Sequence, residues 1–221
     1  MKFPWTIATL AVAITPVASI EASVNTDLAT YLMADTDAAF DENSIKANLS
    51  QLNLPVELAY DRKIADYIKT YLMYGKRETQ TLLNRTELYF PMFDKYLEEI
   101  GLPLELKYLS MIESELRSDA LSGASAAGLW QLMPATAMEF GLTINSNVDE
   151  RYDPVKSTKA ALTMLSSLHQ KYCDWRLVLA AYNSGPGRVN KAIRMAGSSD
   201  YEAIKQYLPI ETQNYLPKYI A

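Results

Sequence analysis

A single cysteine, Cys173, and a single histidine, His169, in 221 residues exclude several kinds of chemistry at once. One cysteine cannot form an intramolecular disulfide. A metal site needs clustered His, Cys or carboxylate donors, and the best group on offer is His169 and Cys173 at i, i+4 spacing with Asp174 beside them. Two ligands on one helical turn leave a site open, so ordinary packing accounts better for these residues. A serine nucleophile would need the same histidine, and no serine lies in a nucleophile-elbow pattern. We expect no metal and no cofactor. Basic residues are also short, 21 against 26 acidic ones for a net charge of -5, which leaves no basic footprint for nucleic acid.

Apolar runs approaching the roughly 20 residues of a membrane span are absent too. The longest, from about Thr6 to Ala18, follows Lys2 and precedes small residues suited to cleavage after Ser19 or Ala22. Residues 1–22 therefore read as a secretory signal. No cysteine stands at that junction to carry a lipid, so we expect an exported, soluble, periplasmic protein, monomeric and without a stable membrane span. Residues 23–55 hold Asp27, Asp35, Asp37, Asp41 and Glu42 against Lys46 alone, the pattern of an acidic, loosely ordered leader.

Beyond the leader the chain is periodic at helical spacing. Tyr60, Ile64, Tyr67, Ile68 and Tyr71 mark a helix ending near Gly75, its tyrosines expected in the core. Pro91 is expected to break a second helical stretch ahead of Phe93, Tyr96, Leu97 and Ile100. These form an N-terminal helical region over 56–95, ahead of a main domain over 96–221. Asp153 and Pro154 suit the cap and first position of a helix that presents Ala161, Leu162, Leu165, Leu168 and Tyr172 on one face. Another helix runs from about Trp175 to Gly185-Pro186-Gly187, and a further one from Val189 to about Gly197. No segment alternates over a strand length, and the expected fold class is all-α.

Within Leu104 to Leu116 one residue is out of place. On a wheel of about 100° per residue Glu113 falls about 40° from Leu109, inside an apolar arc shared with Leu106, Ile112 and Leu116. Lys107, Ser110 and Ser114 gather on the opposite, polar side. Glu105, in the first turn, and Glu115, on the boundary, need no special role. A carboxylate among leucines is costly when ionised, so either a cation answers it or it holds a proton near neutral pH, as a general acid would. The wheel alone leaves both readings open, along with a frayed helix end.

Two further stretches carry polar groups fit for a sugar. In SGASAAGLWQLMP, Gly123 and Gly128 let the backbone come close to a neighbour, while Trp130, Gln131 and Met133 offer a flat face, an amide and a pliable edge. A tight turn into the core would use the same residues. In Ala181-Tyr182-Asn183 the hydroxyl and amide could face a cleft or simply end a core helix.

IES, SGASAAGLWQLMP and AAYNSGPGRV, in this order and spacing, resemble the catalytic domain of the lytic transglycosylases that cleave bacterial peptidoglycan. NLPVELAYDRKIADYI and GLPLELKYLSMIES extend the likeness to the subgroup of membrane-bound lytic murein transglycosylase D. The resemblance covers roughly Pro55 to Ala221. It implies a lysozyme-like helical domain in which Glu113 is the sole catalytic acid/base and Ser122, Gln131, Met133, Tyr182 and Asn183 line the saccharide cleft. LPIETQNYLPKYIA looks like the family's last motif and places Glu211 and Tyr215 beside the site; Gln213 stands where the family carries an arginine.

The implied partner is the peptidoglycan glycan strand, and the implied reaction is non-hydrolytic cleavage of the MurNAc–GlcNAc β-1,4 bond to 1,6-anhydromuramoyl ends. A goose-type lysozyme would hydrolyse the same bond, and an inactive wall-binding module would cleave nothing. A hydrolase needs a second carboxylate at a defined separation. Asp119, Glu139, Asp149, Asp153 and Glu211 are the candidates, none singled out by position.

Overall fold

The computed structural model describes residues 42–52, 54–56, 60–73 and 76–221, so the signal and most of the acidic leader lie outside the described residues. Lys46–Ala221 form one compact unit, and of the residues ahead of it Glu42–Ile45 are described. Helix α1 (Glu42–Gln51) carries the described part of the leader and buries none of its residues.

Apolar stripes organise the rest. The elements are α2 (Arg62–Met73), α3 (Lys76–Ile100), a 3₁₀ turn (Leu104–Lys107), α4 (Tyr108–Ser114), α5 (Pro134–Glu139) and a second 3₁₀ turn (Glu150–Tyr152). There follow α6 (Pro154–Tyr172), α7 (Trp175–Ser184), α8 (Pro186–Ala196), α9 (Tyr201–Ile204), a third 3₁₀ turn (Lys205–Tyr207) and α10 (Ile210–Ile220). Among the described residues there is no strand, only isolated bridges such as Leu121 with Ala127 and Ala127 with Leu132. None of these helices is long and apolar enough to cross a membrane.

α7 lies at the centre. Leu177, Val178, Leu179, Ala180 and Ala181 are buried in succession, which is the pattern of a helix covered on all sides, here by α6, α8 and α10. α10 in turn packs on α2, α4 and α7, while α3 packs on α6 and the first 3₁₀ turn. α6 starts as its sequence demands: the Asp153 carboxylate accepts from the N–H groups of Val155 and Lys156, both at 2.9 Å, and Pro154 follows. At its other end His169 stacks on Trp175 with ring centroids 4.3 Å apart, and Asp174 caps α7 while holding Arg176.

Two expectations fail, for related reasons. Pro91 does not break a helix; α3 runs through it. Phe93 and Leu97, both 0% exposed, anchor the turns beyond Pro91, with Phe93 5.0 Å from the Trp130 ring, and Pro91 itself faces solvent, where water can serve the Glu87 carbonyl that the proline cannot. The Glu113 helix is also not one helix. It is a 3₁₀ turn followed by a seven-residue α4, and it stops at Ser114 because Glu115 and Leu116 take left-handed backbone with φ 53° and 58°.

The polar side of the wheel is likewise buried. Ser110 is 0% and Ser114 7% exposed, because each hydroxyl bonds a carbonyl one turn back, at Lys107 and Ser110 respectively. Lys107 is enclosed with its ammonium 3.0 Å from Asp94 and over the Phe90 ring. Polar residues whose partners are in place bury at little cost, and a wheel cannot register that.

The proline in α3 costs the helix a hydrogen bond that packing has to offset. Pro91→Ala is expected to raise stability, by up to about 3 kcal/mol, in urea unfolding followed by circular dichroism.

Candidate active site

Glu113 occupies the last turn of α4, just before the chain turns away. Two adjacent left-handed non-glycine residues cost roughly 1–2 kcal/mol each. Burial of Leu116 (1% exposed) and a 3.0 Å bond from Arg85 Nη1 to the Glu115 carbonyl hold them there. With no further helical turn over it, Glu113 keeps part of its surface exposed.

Four hydrogen bonds tie the surroundings into a ring. The Ser114 hydroxyl shares its proton between the Ser110 carbonyl one turn back and the Leu129 carbonyl at 2.8 Å, joining α4 to the Gly-Ala-Ser loop. Tyr182 on α7 donates to the next carbonyl of that loop, Trp130, at 2.7 Å. Thr212 on α10 donates to Asn183 Oδ1 on α7 at 2.8 Å. Tyr215, one turn further along α10, closes the circuit by donating to Glu113 Oε1 at 2.5 Å. The carboxylate thus sits where α4, the loop, α7 and α10 meet.

This enclosure sets its proton affinity. Burial pushes the Glu113 pKa up to about 7; the Tyr215 hydrogen bond and the Lys218 ammonium pull against that rise, and Glu211 adds to it. The Tyr215 and Tyr182 phenols are driven well above their usual range, first by burial and then by the charge of Glu113, so both remain donors. Lys218 Nζ also donates to the Ile112 carbonyl at 3.3 Å. A half-enclosed carboxyl protonated near neutrality, with a neutral phenol on one oxygen, can give up a proton and take one back.

The loop is held from behind by a residue that the sequence patterns do not single out. Arg151 is 6% exposed; its Nη1 donates to the carbonyls of Ser125 at 2.6 Å and Leu132 at 3.1 Å, while Nε and Nη2 grip Asp149. It clamps both arms of the loop around Gly128. Gly128 has φ +77°, and a Cβ there would lie 2.0 Å from the Arg151 carbonyl oxygen. Gly123, expected to serve a similar close approach, meets nothing within 4 Å. The only trace of the clamp in the sequence is an Asp-x-Arg pair ahead of the Asp-Pro cap.

The remaining expected residues are placed as follows. Trp130 offers no flat face: it is 0% exposed, its indole N–H donates to Thr158 at 2.9 Å, and the turn drives it into the core. Gln131, with φ 47°, folds its amide back onto the Gly128 carbonyl at 3.0 Å. Ser122 accepts from the Ala126 N–H at 3.0 Å and shapes the turn, and Met133 is 44% exposed at the start of α5. Neither belongs to the ring. Glu211 is exposed on α10, and Gln213, in place of an arginine, donates to the Leu208 carbonyl at 2.9 Å.

The candidates for a second acid are exposed or engaged elsewhere. Asp119 pairs with Arg117, Asp149 with Arg151, Asp153 caps α6, and Glu139 ends α5 in solvent.

Two outcomes test this geometry. The folded protein holds the Glu113 proton up to about pH 7, whereas an unfolded chain releases it near pH 4.3, so between these values the native state binds more protons and stability falls as pH rises, by at most about 4 kcal/mol. Thermal scans should therefore show Glu113→Gln unfolding several degrees above the parent at pH 8, the gap vanishing toward pH 4. Gly128→Ala should lower stability by more than about 2 kcal/mol in chemical denaturation, since neither the backbone angle nor the Arg151 carbonyl can yield.

Residues 93–205 match the Transglycosylase SLT domain family. The chain is 42% identical over 142 residues to membrane-bound lytic murein transglycosylase D of Escherichia coli (strain K12), covering 62% of this chain and 31% of that protein. It is 28% identical over 141 residues to the soluble lytic murein transglycosylase of the same strain, covering 60% and 22%. The chain thus spans less than a third of either relative.

Among solved structures, an inactive glutamate-to-glutamine mutant of lytic transglycosylase Slt from Pseudomonas aeruginosa superposes with TM-score 0.52 at 25% identity, over 81% of this chain and 29% of that one. The 70 kDa soluble lytic transglycosylase of Escherichia coli gives 0.54 at 24% identity, over 72% and 26%, which speaks to the fold alone. The fold is that of the helical, lysozyme-like lytic transglycosylases, and the chain belongs to the Transglycosylase SLT domain family.

Proposed function

We propose that this chain cleaves the β-1,4 bond between MurNAc and GlcNAc in peptidoglycan without consuming water, leaving 1,6-anhydromuramoyl ends. The observation that carries the reading is Glu113 itself: one enclosed carboxyl, protonated near neutral pH, whose candidate partners are exposed or engaged elsewhere. An ordinary glycosidase divides the work between two carboxyl groups. Here a single group acts twice.

Glu113 gives its proton to the glycosidic oxygen as the bond to C1 breaks, and the acetamido oxygen of the MurNAc ring closes on C1. The carboxylate left behind then accepts the proton of the C6 hydroxyl, whose oxygen displaces the acetamido group from C1. Glu113 ends protonated, as it began. Tyr215 steadies the carboxyl in both states, since a neutral phenol can donate to either. Ser122, Gln131, Met133, Tyr182, Asn183 and Glu211 are assigned to the saccharide cleft by their places in the family's motifs. Residues 1–22 support export to the periplasm, where this substrate lies.

Purified peptidoglycan incubated with the mature protein should release anhydromuropeptides, and the Glu113→Gln variant none, as read by mass spectrometry. Reducing ends in place of anhydro ends would indicate a hydrolase.

A further inference from the structure

α10 presents three ionisable side chains at i, i+4 and i+7, which puts Glu211, Tyr215 and Lys218 on one face of the helix, running from an exposed carboxylate through a phenol to an ammonium. Tyr215 touches Glu113. Lys218, one turn on, donates to the Ile112 carbonyl at 3.3 Å. That carbonyl belongs to the residue just before Glu113, in a helix two residues from its end. One side chain of α10 therefore fixes the carboxyl of Glu113 and another fixes the backbone that carries it. Residues 93–205, which match the family, do not extend to either.

We propose that Lys218 is a positioning residue for Glu113: its ammonium locks the last turn of α4 through Ile112 and supplies the positive charge beside the carboxylate that Glu113 becomes once its proton has left. The inference rests on the reading of Glu113 as an acid that must also serve as a base. An enclosed carboxyl with no cation nearby would donate its proton reluctantly and spend little time ionised. A cation in direct contact would hold it ionised and abolish the acid. Lys218 avoids both extremes because its hydrogen bond goes to the peptide, so its charge acts from a neighbouring site.

The other charged and titratable groups around Glu113 do not replace it. Glu211 on α10 has the opposite effect, and Tyr215 and Tyr182, on α10 and α7, remain neutral donors. Arg85 of α3 is directed to the Glu115 carbonyl. In the first 3₁₀ turn, Lys107 faces Asp94, and Glu105 acts on Tyr219.

The test is the Glu113 titration itself, followed through the side-chain carboxyl carbon by NMR in ¹³C-glutamate-labelled protein, with the resonance assigned from Glu113→Gln. Lys218→Met should move the midpoint up by about half a pH unit or more, and Lys218→Arg should leave it near the parent value. Lys218→Gln keeps a donor for the Ile112 carbonyl without the charge and should also move the midpoint up; it carries the test if the Met variant does not fold. An unchanged midpoint in folded Lys218→Met or Lys218→Gln overturns the proposal, as does an equal rise in Lys218→Arg. The resonance is read without turnover, so a protein that released no anhydromuropeptide would refute the function while leaving this result to stand or fall on its own.

Discussion

The structure depends on keeping one carboxyl group half out of water without letting any cation touch it. Glu113 meets this condition because four segments distant in sequence converge on it and are joined by side-chain hydrogen bonds to backbone or to one another. Each bond involves a neutral donor. A neutral donor can steady a carboxyl group in either protonation state, whereas a guanidinium would commit it to the ionised one. Arginine is available nearby, and the fold uses it elsewhere: Arg151 grips backbone carbonyls and Asp149, and Arg85 takes the Glu115 carbonyl.

The rest of the domain serves as scaffolding for that junction. α7 is buried on all sides, so its end can hold Tyr182 and Asn183 in fixed positions. α10 packs on α2, α4 and α7 and so carries Tyr215 to the carboxyl with little freedom. The loop from Leu121 to Met133 has no regular structure of its own, and Arg151 supplies order from behind while Trp130 pins it to the core through Thr158. Rigid helices thus bear Glu113 and its phenol, and a clamped loop borders them, a division suited to the proposed reaction, in which a sugar has to fit while one proton is held in place.

Much of this was legible in the sequence, and the failures have physical causes. The helices that begin at Pro154 and Trp175 follow from caps, prolines and apolar spacing, which act locally; the next starts at Pro186, three residues ahead of the expected Val189, and no pattern marks α9 or α10 in advance. Glu113 stood out because its charge contradicted its wheel position. Packing of Phe93 and Leu97 outweighs the local break at Pro91, and Ser110, Ser114 and Lys107 are buried because each polar group has its partner, one turn back for the serines and across on α3 for Lys107. Trp130 turns into the core from a loop, and a loop gives no periodicity from which to judge direction. Arg151 carries no sequence signal for a different reason: the carbonyls it holds are 19 and 26 residues away, and carbonyls leave no mark in a sequence. Residue patterns alone leave Tyr182 and Asn183 open between cleft and core, and it is the resemblance to a family that points to them and to Glu211 and Tyr215.

The central claim is that enclosure, and not a paired charge, makes Glu113 an acid at neutral pH. Infrared difference spectra between the parent protein and Glu113→Gln, recorded across the pH range, isolate the carbonyl band of this one protonated carboxyl group. Enclosure predicts that the band persists at pH 6 and fades with a midpoint of about 7. A band already lost near the ordinary glutamate value, about pH 4.3, would contradict it.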